Sequence, residues 1–107
     1  MDAALRAIAE PRRREILELV RTRERSSGDI AAHFDVSRPA ISQHLGVLED
    51  AGLVSVRRDG NRRWYRARPE GMAEVRSYLE SFWSTHLANL KDAAEKEERK
   101  RRGRRNR

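Results

Sequence analysis

The chain has 107 residues, no cysteine and a formal net charge of +7. That length fits one domain, and the absence of cysteine excludes disulfides, thiolate metal sites and thiol redox sensing. No apolar run approaches the roughly 18 residues of a bilayer span and no signal-peptide core follows Met1, so a cytoplasmic protein with no membrane partner is expected.

Residues 2–9 form a short helix with Leu5 and Ile8 as its apolar pair. Pro11 suits the first turn of a second helix, where a missing N–H costs nothing. That helix runs to about Thr22 and buries Ile16, Leu17 and Val20. Ser26 or Ser27 caps a third helix, and Ser26 with Asp29 resembles a capping box. Ile30, Ala31 and Phe34 line its inner face.

The most informative stretch is residues 36–53. Ser37 caps a fourth helix, and Pro39 is tolerated in its first turn. Ile41, Leu45 and Leu48 recur at the spacing of one buried helical face, and Gly52 ends the helix. Arg38, Ser42 and Gln43 fall on the opposite side. Arg and Gln are side chains that make bidentate hydrogen bonds to base edges in a major groove. A short helix that packs on one face and presents donors on the other looks like the recognition helix of a helix-turn-helix.

Residues 53–58 alternate, with Val54 and Val56 on one face, as a half-buried strand does. Asp59-Gly60-Asn61 is a hairpin turn, and 62–68 is the return strand. The hairpin over 57–68 carries six Arg against one Asp. Trp64 and Tyr65 are assigned to the core, although aromatic side chains beside arginine also suit base stacking. Pro69 opens a last helix with an apolar stripe through Met72, Val75, Leu79, Phe82, Trp83, His86, Leu87 and Leu90. The helical signal fades from about Asp92.

Residues 99–107 carry seven basic side chains and no acidic one, and the remaining 17 basic residues balance 17 acidic ones. Such a run suggests a disordered tail, either merely solubilising or adding salt-sensitive attraction to phosphates. The expected organisation is a domain over 1–95 and a basic tail over 96–107. There is no Gly-rich phosphate loop, no paired carboxylates in an evident cleft and no metal-ligand spacing among the three His. Neither an enzyme nor a cofactor is expected.

Taken together, the elements are mainly α with a small β-hairpin, a winged helix-turn-helix. The chain resembles the ArsR-type bacterial transcriptional repressors over residues 3–90. The likeness is carried by Pro11-Arg12-Arg13-Arg14-Glu15-Ile16-Leu17, Asp29-Ile30-Ala31, the run from Ser37 to Leu45, the run from Leu48 to Val54, and Gly60-Asn61-Arg62-Arg63-Trp64-Tyr65. The resemblance implies a sequence-specific DNA-binding repressor acting as a homodimer on an inverted-repeat operator, in the cytoplasm at the nucleoid. It implies dimerisation through the first and last helices, here Leu5, Ile8, Leu79, Phe82, Trp83, His86, Leu87 and Leu90.

Ser37, Arg38, Ala40, Ser42, Gln43 and His44 are then the candidates for the major groove. Arg12, Arg13, Arg57, Arg58, Asn61, Arg62 and Arg63 are candidates for the wing and backbone contacts. For Arg12 to Arg14, pairing with nearby Glu residues is the competing reading; for His44 it is a structural hydrogen bond to a neighbouring helix. Metal-sensing members carry cysteines where this chain has Ser26, Gly28 and Ala31, and the last helix offers only His86, so no metal site is expected. The chain looks more like the metal-independent members, a group that the Phe82-Trp83 pair also resembles, and its effector, if any, is unknown. Two alternatives stay open: a sequence-neutral architectural protein using the basic tail, and a protein-interaction module using the last helix.

Overall fold

The first helix, α1 (Asp2–Ala9), packs through its smallest side chains. Ala4 and Ala7 are buried, while Leu5 and Ile8 are half-buried at the edge of the core. The apolar pair Leu5 and Ile8 thus packs beside two buried alanines, whose small side chains let the helix backbone approach its neighbours closely. Glu10 ends α1 and begins α2 (Pro11–Val20); its carboxylate accepts from the Arg13 N–H at 3.2 Å. Ile16, Leu17 and Val20 are buried as their spacing requires.

The computed structural model describes residues 1–105, the side chains at 83, 85, 86, 104 and 105 excepted. The chain divides into two units, Met1–Val75 and the residues from Arg76 onward.

Within the first unit, Arg25–Ser26 is a short strand β1, and α3 (Ser27–Ala32) follows directly. Ser26 is the cap of α3, its Oγ accepting from the Asp29 N–H at 3.1 Å. Helix α4 (Arg38–Asp50) starts with Ser37 Oγ accepting from the Ala40 N–H at 3.3 Å. Ile41, Leu45 and Leu48 are all but fully buried. At its end Gly52 takes φ +76°, a left-handed conformation that L side chains rarely adopt. The Gly52 N–H bonds to Glu49 O at 2.9 Å and the Leu53 N–H to Leu48 O at 3.0 Å. This 5→2 and 6→1 pair is a Schellman motif, and Leu48 and Leu53 supply its apolar contact.

Strands β2 (Val54–Asp59) and β3 (Arg62–Ala67) pair antiparallel, with Val56 opposite Tyr65 and Asp59 opposite Arg62. Only Gly60 and Asn61 lie between the paired ends. Gly60, at φ +62°, supplies the positive φ that a type II′ turn needs at its first central position. The sheet order is β1-β3-β2, with Arg25 opposite Tyr65. Tyr65 is buried, whereas Trp64 is half-buried, so one of the two aromatic side chains assigned to the core fills it completely.

Helix α5 (Pro69–Arg105) opens against the end of α4: a Cβ at Gly71 would fall on the Gly52 carbonyl. Val75 is its one fully packed core residue among those described. Where the composition suggests a disordered tail from residue 96, the structure continues the helix through Arg105. Lys, Arg and Glu are good helix formers. Ion pairs one turn apart, Asp92–Lys96 at 3.4 Å and Glu98–Arg102 at 3.6 Å, support the same conformation. Residues 106–107 of the expected tail lie outside the described residues.

Candidate nucleic-acid interface

The recognition helix earns its orientation from its buried side. With Ile41, Leu45 and Leu48 fixed in the core, Ser37, Arg38, Ser42 and Gln43 are left exposed, and Ala40 and His44 are half-buried. Arg38 is steered by a glycine: a Cβ at Gly28 would lie 2.9 Å from Arg38 Nη2, so the guanidinium lies against α3. Nothing in the helical spacing announces that contact, which depends on the turn between α3 and α4.

Among the four candidate arginines of the wing tip, Arg57, Arg58, Arg62 and Arg63, partner accounting separates one from the rest. Arg57 Nε donates to Glu24 at 3.0 Å, its guanidinium stands 3.8 Å from Asp59, and it lies over the Trp64 ring at 5.7 Å. The hydrogen bond to Glu24 pushes its pKa upward, and its charge is largely answered within the protein. Arg58, Arg62 and Arg63 are exposed and have no ion pair or side-chain hydrogen bond among the described residues, and Asn61 is exposed beside them. The indole Nε1 of Trp64 is buried without an acceptor.

At the start of α2 the three arginines are engaged. Three cations at a helix N-terminus oppose its dipole. Two of them instead turn back to the carbonyl end of α1, where positive charge is welcome and four carbonyls lack helical partners. Arg13 Nε donates to Ala7 O at 2.6 Å and its Nη2 to Arg6 O at 3.2 Å. Arg14 Nη1 donates to Ile8 O at 2.7 Å and Ala9 O at 3.1 Å. Arg12 pairs with Glu15 at 3.4 Å and lies 5.1 Å over the Phe34 ring. Arg13 Nη1 also meets His44 Nδ1 at 3.3 Å, tying α2 to the recognition helix.

The second unit carries an apolar stripe on α5. Leu79, Phe82, Leu87 and Leu90 are exposed in the single chain, Phe82 to 69%. Tyr78, absent from the sequence reading, belongs to the same stripe and packs against Phe82 with ring centroids 6.0 Å apart. Trp83 and His86, named with them in the expected dimer interface, lie outside the described side chains. Among the described residues no group of three or more His, Cys, Asp or Glu could hold a metal ion, and no helix is long and apolar enough to cross a membrane.

Comparison with known proteins agrees with this architecture. Residues 10–56, from α2 into β2, match the family described as bacterial regulatory protein, arsR family. The chain is 43% identical over 86 residues to the HTH-type transcriptional regulator Rv2034 of Mycobacterium tuberculosis, covering 80% of each chain. It is 42% identical over 65 residues to the transcriptional repressor SdpR of Bacillus subtilis, covering 61% of this chain and 72% of that one. Among solved structures, a possible transcriptional regulator for arsenical resistance superposes with a TM-score of 0.71 at 49% identity, over 75% of this chain and 83% of the other. The homodimeric winged helix-turn-helix DNA-binding domain Mb0332 of Mycobacterium bovis superposes with a TM-score of 0.63 at 31% identity, over 80% of each. The relatives are regulators rather than enzymes, and with helix-turn-helix and wing both in place, the chain belongs to the arsR family of bacterial transcriptional regulators and carries its DNA-binding domain.

Proposed function

We propose that the protein is a homodimeric repressor that reads an inverted-repeat operator without a thiolate or metal switch. The observation that carries this reading is the set of polar side chains left over once the fold is satisfied. Arg38, Ser42 and Gln43 stand exposed on α4, and Arg58, Arg62 and Arg63 stand exposed on the wing with no ion pair among the described residues. In this reading Arg38 and Gln43 meet base edges, Ser37, Ala40, Ser42 and His44 line the same groove, and the wing arginines with Asn61 meet phosphates or the minor groove.

Dimerisation is supported by the exposed apolar stripe of α5, since a continuous apolar face of that kind marks an interaction surface, and by the homodimeric state of the Mycobacterium bovis domain. Two-fold symmetry then sets half-sites about one helical turn, ~34 Å, apart. Repression is supported by the relatives named repressors, SdpR among them.

Independence from a thiolate or metal switch rests on how the corresponding positions are used. The chain has no cysteine; Ser26 caps α3, Gly28 makes room for Arg38, and Ala31 packs against the core. The basic segment over 96–107 adds sequence-neutral attraction to phosphates beyond the domain over 1–95. A protein with this function works in the cytoplasm at the nucleoid.

Selection of bound duplexes from a random pool by the full chain tests the reading. The expected result is enrichment of an inverted repeat. Gln43→Ala then weakens discrimination of the selected sequence by about 1–3 kcal/mol and leaves random DNA unaffected. Enrichment of no sequence would make the protein an architectural binder instead.

A further inference from the structure

We infer that Arg13 is a positioning residue of the recognition helix: it holds His44 as the tautomer protonated on Nε2, so that α4 offers this N–H as a fixed hydrogen-bond donor to DNA. A guanidinium has only donors, so where Arg13 Nη1 meets His44 Nδ1 at 3.3 Å the ring nitrogen must accept. An accepting Nδ1 carries no proton, and a neutral imidazole must then carry its proton on Nε2. A doubly protonated ring has no acceptor and would set two cations against each other.

Arg13 itself has little freedom, because its other donors are fixed on Ala7 O at 2.6 Å and Arg6 O at 3.2 Å. The clamp therefore runs from the carbonyl end of α1, through α2, to the middle of α4. Among the described residues His44 Nε2 has no hydrogen-bond partner, and it is not among the buried polar atoms left unsatisfied, so it reaches solvent. His44 directly follows Gln43 on α4. His33 provides a built-in contrast. Its Nδ1 lies 2.8 Å from the Asp29 carbonyl oxygen, which only accepts, so His33 is protonated on Nδ1. The two rings differ at Nδ1, which donates in His33 and accepts in His44.

This inference rests on the reading of α4 as the DNA-reading helix, and its test separates the two. In full-length protein with 15N-labelled histidine, at about pH 8 where a free imidazole is neutral, long-range 1H–15N correlation spectra report which ring nitrogen is protonated. Single His→Gln variants assign the signals. The expected spectrum shows Nε2–H for His44 and Nδ1–H for His33, and Arg13→Met returns His44 to exchange between tautomers. Nδ1–H at His44, or signals unmoved by Arg13→Met, would overturn the clamp.

Two further variants read the donor role without touching Arg13. His44→Asn keeps an acceptor near the Nδ1 position but removes the outer donor; His44→Gln places an amide donor near Nε2. On a duplex selected by the wild-type protein, His44→Asn is expected to lose about tenfold in affinity, the worth of one hydrogen bond, while His44→Gln stays within about threefold. Equal binding by the two would overturn the donor role. Failure of the wild-type protein to select any sequence would overturn the reading of α4 and the donor role with it, while the spectra decide the clamp separately.

Discussion

The first turn of α2 and the tip of the wing are nearly the same in composition and opposite in use. Arg12, Arg13 and Arg14 spend their donors inside the protein, on the carbonyls ending α1, on Glu15 and on His44. Arg58, Arg62 and Arg63 have no such partners among the described residues and face solvent. The lesson is that arginine density does not by itself locate a DNA contact; what matters is which guanidiniums the fold has left unanswered. Arg57 marks the boundary, since it sits in the wing but is held by Glu24 at 3.0 Å.

Substitution separates the two arginine clusters. The largest expected effect is on binding. Replacing Arg58, Arg62 and Arg63 together by alanine should weaken low-salt binding of duplex DNA on the order of a hundredfold. Urea unfolding should shift by no more than ~0.5 kcal/mol, as for surface changes without partners. A wing variant that binds normally but unfolds early would reverse the assignment.

Next comes Arg13→Met, which leaves the Ala7 and Arg6 carbonyls without their charged donor. A hydrogen bond to a charged group contributes ~1.5–3 kcal/mol, and Arg13 is only half-buried, so a loss near the lower figure is expected in chemical denaturation. Unchanged stability would mean that these carbonyls are equally well served by water.

The smallest effect is the pH dependence of Asp29. The hydrogen bond from Arg25, at 3.0 Å, is the main cause that holds its carboxyl below the usual carboxylate range. A group whose pKa is lower folded than unfolded stabilises the fold above its unfolded pKa and loses that contribution as pH falls through the folded one. Asp29→Asn should therefore cost a little stability at neutral pH and nothing in strong acid. A penalty that persists in strong acid would place the contribution of Asp29 elsewhere than in this ion pair.

The parts legible in the sequence were those written in local chemistry. Ser37, the Ile41/Leu45/Leu48 face and Gly52 announce α4 because cap, period and left-handed stop all lie within one segment. Asp59-Gly60-Asn61 announces the hairpin for the same reason. The two-residue strand β1 is too short to show a period and exists only through its pairing with Tyr65 and Trp64. The full burial of Ala4 and Ala7 beside Leu5 and Ile8 is set by how closely helices approach, which a hydrophobic pattern does not encode.

The candidate site divides in the same way. Exposure of Arg38 and Gln43 followed from the helix period. The engagement of Arg13 did not, because its partners are backbone carbonyls six and seven residues back and a histidine 31 residues ahead. Backbone acceptors leave no mark in a sequence. The helical course of residues 96–105 was obscured by charge: net repulsion suggests disorder, while the i,i+4 pairing of Glu98 with Arg102 favours a helix.

The central claim, that unanswered guanidiniums and not engaged ones meet the phosphates, is tested most directly by the salt dependence of duplex binding. The slope of log affinity against log salt should be measured on one random-sequence duplex for the wild-type protein, for Arg62→Ala/Arg63→Ala and for Arg14→Gln. Each lost phosphate contact lowers the magnitude of the slope by about 0.9. The account predicts a fall of about 1.8 for the wing variant and none for Arg14→Gln. An equal fall for both, or a fall for Arg14→Gln alone, would contradict it.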